Sequence, residues 1–323
     1  MDFKVFTAGK DDAGRRLDRV IKKIFTESQI NSNIHGLIRK KLIRLNGVKT
    51  EASVLLQEGD RIEAAAFLFS SNDSAKEKLT AVKTDFPYKI LFKNPDILFI
   101  GKPAGINVQP AASEETSVSS VIKDFFSSAD SLAFTPAPLH RLDKNTSGVL
   151  AVSMSMKGAR WFSENISSHK IQKIYLAVLN GVIDAEETWT DSMEDSGEEK
   201  NFRTSKVFLN KKGQTDTAKE CITTVKPIKS GLFCKKTVTF CQITILTGRK
   251  HQIRAQSAAR NHPLTGDSAY GGGSGKFFLH AWKIKFPEDN PLLLPEEICC
   301  PLPSDFDEFL KTNLKIQSSA DII

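Results

Sequence analysis

Long apolar runs are missing from this 323-residue chain. No stretch approaches the roughly 18 consecutive apolar residues of a membrane helix, so no membrane partner is expected. The opening residues, MDFKVFTAGKDD, carry no apolar core, and no signal peptide is expected. Cysteine is scarce: Cys221, Cys234, Cys241, Cys299 and Cys300 make an odd count with no C-x-x-C spacing. A disulfide framework and a thiolate zinc site are therefore not expected, and a cytoplasmic location fits. The six histidines (His35, His140, His169, His251, His262, His280) show neither H-x-x-x-H nor H-E-x-x-H spacing, which argues against a metal. There is no internal repeat and no regular βαβ rhythm.

Acid is what residues 14–49 lack. Only Asp18 and Glu27 oppose ten basic residues there: Arg15, Arg16, Arg19, Lys22, Lys23, Arg39, Lys40, Lys41, Arg44 and Lys49. This stretch alone carries the whole excess of a chain whose net charge is +7 and whose pI is about 9.0. Concentrated basic charge on a small module is the footprint of a nucleic-acid anchor; a solvated basic face without a partner is the alternative. Leu17, Val20, Ile21, Ile24 and Phe25 form one apolar face at helical spacing, and a second helix is expected over residues 32–40. Ile43 and Leu45 alternate with Arg44 as a strand, and Asn46-Gly47 supplies a turn. A module over residues 14–69 follows. Residues 70–85 are polar and rich in Ser and Lys, which predicts a linker and a module mobile against the rest.

Over residues 86–315 many strands and few helices predict an α+β domain with a mixed, mainly antiparallel sheet. A hairpin is expected over residues 90–100, then a shaped Gly/Pro loop from Gly101 to Pro110. Helices are expected over 117–126 and 156–168, and strands over 174–179, 219–226, 237–246 and 277–284. The acidic residues 185–201 suggest a surface excursion.

The most informative stretch is His140-Arg141-Leu142-Asp143-Lys144-Asn145-Thr146-Ser147-Gly148, a charged loop feeding the apolar run Val149 to Val152. Asp143 lies between two basic residues, where a carboxylate stays ionised. Polar loops on a rigid sheet edge often carry catalytic groups, although a local turn is the commoner role for such an Asp. Other chemistries fit poorly. A kinase loop lacks its D-F-G partner and Gly-rich loop. Gly271 to Lys276 misses the glycine and Ser/Thr positions of a phosphate loop. A glycosidase lacks a second acid near Asp143.

HRLDKNTSG resembles the signature of the RluA-type pseudouridine synthases. Further matches stand in order around it: Lys102-Pro103-Ala104-Gly105 before it (with Gln109 where the family usually has His), then Lys173-Ile174-Tyr175-Leu176-Ala177, Thr247-Gly248-Arg249-Lys250-His251-Gln252-Ile253-Arg254, and His262-Pro263-Leu264-Thr265-Gly266-Asp267 after it. IRKKLIRLNGVKT resembles the S4 RNA-binding domain, while INSN at residues 30–33 departs from a segment that often holds an Arg. The resemblance implies isomerisation of uridine to pseudouridine, with no cofactor and no metal. Asp143 is then the catalytic carboxylate, Tyr175 the platform for the target uracil, and Arg254 the partner of Asp143. A guanidinium suits that task because it grips a carboxylate bidentately. On residues alone, a core ring is the commoner role for Tyr175. The resemblance also places Arg141, His140, Ile253 and Arg249 against the substrate. It places Arg16, Arg19, Arg39, Lys40, Lys41 and Arg44 on the RNA-binding face. The implied partner is ribosomal RNA or an assembling large subunit, as for the RluC members, with RluD members next. Transfer RNA, or a non-catalytic role in ribosome assembly, is the alternative, and a monomer is the default state.

Overall fold

The computed structural model describes residues 1–28, 30–69, 85–110, 115–126, 131–199, 202–209 and 217–316. The expected linker lies outside these residues but for its last position. Ahead of it, β1 (Phe3–Thr7), α1 (Leu17–Glu27), α2 (Ile34–Arg39), β2 (Ile43–Leu45) and β3 (Arg61–Ala65) form a small unit with strand order β1-β3-β2. Leu17, Val20, Ile21, Ile24 and Phe25 are all buried in its core, as the spacing requires. The unit begins earlier than residue 14. Phe3 to Thr7 pairs antiparallel with Arg61 to Ala65 along its whole length. This edge strand buries too little apolar surface to stand out in the sequence.

Two carboxylates of this unit contact the larger part of the chain. Asp12 is fully buried and accepts from the Ser131 hydroxyl (2.7 Å) and the amides of Leu132 (2.8 Å) and Ala133 (3.2 Å). Asp11 accepts from the amide of Met156 at 2.7 Å. Ala133 joins the module's apolar core. Asp12→Ala therefore strands one buried and two half-buried donors and is expected to weaken this docking by about 2 kcal/mol. Hydrogen exchange at the Leu132 and Ala133 amides reads it; unchanged protection would mean the contact does not hold the module.

The larger part comprises β4 (Lys89–Lys93), β5 (Ile97–Lys102), α3 (Val118–Phe125), β6 (Ala137–Pro138), β7 (Ser147–Ser153), α4 (Met156–Ser167), β8 (Gln172–Asn180), β9 (Glu187–Glu199), β10 (Phe202–Leu209), β11 (Lys219–Phe233), β12 (Lys236–Ile245), α5 (Gln252–Ala259), β13 (Leu279–Lys285), β14 (Glu297–Cys299) and α6 (Ser304–Phe309). Its strands run β10-β9-β11-β12-β8-β13-β7-β5-β4, with β14 on β13 and β6 on β7. Pairing is antiparallel except between β13 and β7, so this is the expected α+β fold with a mixed, mainly antiparallel sheet. β7 is buried at every residue, which its apolar run required. Gly148 (φ +121°) permits the parallel contact, because a Cβ there would overlap the Ala281 carbonyl.

Within the acidic stretch expected to be a surface excursion, residues 187–193 are instead part of the sheet. Glu187 to Met193 pairs with β11 inside the sheet, and Trp189, Asp191 and Met193 are buried. Arg260 grips Asp191 through two nitrogens at 2.7 and 3.0 Å, which lets a carboxylate occupy an inward position. The alternation was hidden because a charge stands where an apolar residue is expected. All five cysteines are free thiols. Among the described residues, no helix is long and apolar enough to cross a membrane.

Candidate active site

Three sequence-distant segments converge where β7 begins. The loop 139–146 enters β7, β8 runs two strands away across β13, and α5 starts beyond β12. Between them lies a cavity of about 470 Å³ lined by Asp143, Tyr175, Ile253, Arg254, Arg141, His140 and Arg249. All seven site residues expected on this domain thus line one cavity. A second hollow of about 320 Å³ also touches Arg141, Asp143 and Arg254, so the carboxylate stands between two openings.

The local chemistry fixes the loop. Lys102 is buried and donates to the carbonyls of Pro103 (2.8 Å), Ile106 (2.9 Å) and Lys144 (3.1 Å). One ammonium thereby ties the Gly/Pro loop to the Asp143 loop. Burial, opposed by the Asp143 charge, lowers its pKa to about 8. His140 accepts from the Ala151 amide at 3.1 Å through Nε2, and its ring stacks on Phe162. Burial first, then Lys173, lowers its pKa to about 3, so it meets the cavity as a neutral, fixed ring. The Asp143 carbonyl accepts from the Thr146 amide at 3.1 Å, closing the turn.

The guanidinium of Arg254 lies within hydrogen-bond reach of Asp143, 3.2 Å from Nη1 to Oδ2. Its bidentate partner is a different residue. Nε and Nη2 meet the two oxygens of Asp267 at 2.7 and 2.9 Å, and Asp267 is only 2% exposed. Asp267 thus fixes the fork and Asp143 takes the remaining nitrogen, which corrects the expectation of a two-point grip on Asp143. Burial opposes the Arg254 charge, but Asp267 and then Asp143 raise its pKa above the ordinary value. Tyr270 and Phe277 face the same guanidinium, with ring centroids 5.0 and 5.3 Å away.

His251 adds a feature that the sequence did not single out for catalysis. It precedes α5 in a left-handed conformation (φ 55°) and turns Nε2 to 3.8 Å from Asp143 Oδ1. Its Nδ1 lies 3.1 Å from the Tyr270 hydroxyl, which already accepts from the Ser205 amide at 2.7 Å. If the hydroxyl donates to Nδ1, the neutral ring carries its proton on Nε2, toward Asp143. Burial lowers the His251 pKa, which favours this neutral form.

Tyr175 is buried in β8 between Ile243 of β12 and Ala281 of β13. Burial, then Asp143, pushes its hydroxyl pKa up, so it serves as a neutral ring. Ile253 is buried beside it, while Arg141 and Arg249 are exposed at the rim. Arg249 Nε donates to the Glu220 carbonyl at 3.0 Å.

On the small unit, Arg39, Lys40 and Lys41 are exposed where α2 ends, and Arg19 is exposed on α1. Arg16 is engaged with Asp18 at 2.7 Å. The Arg44 guanidinium stacks on Phe3 with 4.4 Å to the ring centroid. These two are less available than their neighbours.

Residues 96–259 match the family described as RNA pseudouridylate synthase. The chain is 28% identical over 318 residues to ribosomal large subunit pseudouridine synthase D of Xylella fastidiosa, covering 92% of this chain and 88% of that protein. It is 26% identical over 322 residues to ribosomal large subunit pseudouridine synthase C of Buchnera aphidicola, covering 94% of this chain and 95% of that protein. In fold it is similar to human RNA pseudouridylate synthase domain containing 1, with a TM-score of 0.57 and 23% identity over 73% of this chain and 93% of that one. With half its length matched to the family and the carboxylate loop, Tyr175 and Arg254 gathered at one cavity, this chain belongs to the RNA pseudouridylate synthases.

Proposed function

We propose that the chain converts uridines of large-subunit ribosomal RNA to pseudouridine, with Asp143 as the catalytic carboxylate. The observation that carries the site is the placement of Asp143 beside Arg254 and on one cavity with Tyr175. The ribosomal substrate rests on the relatives, whose names divide between the C and D synthases of the large subunit.

The reaction breaks the C1′–N1 bond, turns the base and rejoins it through C5. No net redox or hydrolysis takes place, so a carboxylate, a base platform and a rigid site suffice. The target base must leave its stack, at a cost of a few kcal/mol, before Asp143 can reach the sugar. Stacking on Tyr175 recovers about 1–3 kcal/mol of that. Arg254 holds Asp143 in register, and Ile253 with neutral His140 walls the base. Arg141 and Arg249 at the rim take flanking phosphates. The exposed Arg19, Arg39, Lys40 and Lys41, with Arg16 and Arg44, give the small unit the basic face of an S4-like anchor. Fixed to the larger part through Asp11 and Asp12, that anchor sets a constant offset between the bound helix and the reacting base.

Pseudouridine mapping in a strain lacking the gene tests this reading. Specific large-subunit positions are expected to revert to uridine and to be restored by the intact gene but not by an Asp143→Asn copy. An unchanged ribosomal map, with sites lost from transfer RNA instead, would overturn the ribosomal assignment.

A further inference from the structure

Lys173 is two residues before Tyr175 on β8, so strand geometry puts both side chains on the same face, toward the cavity. Lys173 is 8% exposed. Its ammonium has no hydrogen bond or ion pair among the described residues, and it sits against Gly248, where a Cβ would come within 3.0 Å of Nζ. A buried lysine is ordinarily paired, because an isolated buried charge is expensive. An ammonium without a protein partner, in the lining it shares with Tyr175 and Asp143, marks a place prepared for a polar, electron-rich ligand.

We infer that the Lys173 ammonium touches the target base and stabilises the negative charge that the uracil ring acquires when its bond to the sugar breaks. This role rests on the family's reaction and not on which RNA is modified. When C1′–N1 breaks, the bonding pair stays on the base and spreads over O2 and O4. The ring turns, C5 bonds to C1′, the C5 proton leaves to solvent and N1 gains one, so atoms and charge balance. Asp143 is itself negative and cannot stabilise the departing base. An ammonium held without a counterion can, and its interaction is stronger with the charged base than with neutral uridine, which is what lowers a barrier. Burial, reinforced by Arg249, lowers the Lys173 pKa to about 8, so the amine is still mostly charged at neutral pH.

The test uses the full chain in excess over RNA from cells lacking this gene, labelled with tritium at uridine C5. Tritium release to water reports the loss of the C5 proton whichever RNA holds the target. Lys173→Met is expected to lower the saturating single-turnover rate about 10²-fold, the scale of losing one charge-stabilising donor. The half-saturating enzyme concentration should stay within a few fold, and the fold should melt no lower than wild type, since Met leaves no buried charge. Lys173→Gln runs beside it, so that one misfolded variant does not decide the matter.

The wild-type rate should also fall at alkaline pH as the ammonium deprotonates, and both variants should lack that limb. Asp143, His140, His169, Lys250 and His251 share the cavity, as do the permanently charged Arg141, Arg249 and Arg254. A limb caused by one of them, or by Lys102, persists in the variants. An unchanged saturating rate, a retained alkaline limb, or a loss confined to half-saturation would each overturn the assignment. The last would make Lys173 a phosphate contact.

Discussion

Asp143→Asn is expected to abolish tritium release from C5-labelled RNA while leaving RNA affinity within a few fold. The amide keeps the shape of the carboxylate and can still accept from Arg254 Nη1. Only the charge and the nucleophilic or basic lone pair are lost. Removal of a group that bonds to the substrate, or takes its proton, lowers turnover by about 10⁴-fold or more. Binding should survive because the contacts that set affinity lie elsewhere. Rim cations and the basic face of the small unit meet phosphates, and Tyr175 meets the base. The fold should survive too, since Asp267 and not Asp143 supplies the bidentate grip on Arg254. Filter binding, melting temperature and tritium release separate the three effects. Turnover above a tenth of wild type would remove Asp143 from the chemistry.

The carboxylate loop was legible because its pattern is local. A charged turn, a glycine with positive φ and a fully apolar strand follow one another within 14 residues, from His140 to Ser153. Tyr175 and Arg254 were legible only through the family resemblance, because an aromatic in a strand and an Arg in a helix are ordinary in themselves. The resemblance named Asp267 within a turn but gave it no chemical part. Its role depends on Gly266, whose φ of +83° and close approach to the Lys276 carbonyl aim the next residue at Arg254. Lys102, in the Gly/Pro loop, was similarly opaque: nothing in KPAG says that three carbonyls from two loops meet at its ammonium. β9 was missed because Asp191 replaces an apolar residue at an inward position, and its compensating Arg260 stands 69 positions away. In each case the missing information is a long-range pairing, which no local period encodes.

That dependence on long-range charge pairs makes Arg254→Met the second large effect. Asp267 is 2% exposed, and the structure gives its two oxygens to Arg254 Nε and Nη2. Met fills much of the volume but leaves this carboxylate buried without its partner, a change expected to destabilise the fold by about 4 kcal/mol. For a domain of this size that corresponds to a fall of about 10 °C in melting temperature. Turnover should drop as well, because Asp143 loses the nitrogen that holds it and two carboxylates are left without the cation they shared. Arg254→Lys separates the two consequences. It keeps a positive charge near Asp267 but not the planar fork, so it should recover most of the stability and little of the rate. Asp267→Asn supplies the opposite contrast: Arg254 keeps its charge and its contact with Asp143 but loses the charge-assisted grip that orients it. Because all these changes act on one pair, combining Arg254→Met with Asp267→Asn should restore much of the melting temperature that Arg254→Met alone loses, as the buried charge is gone. Additive losses in the double variant would show that Arg254 and Asp267 stabilise the fold through separate partners.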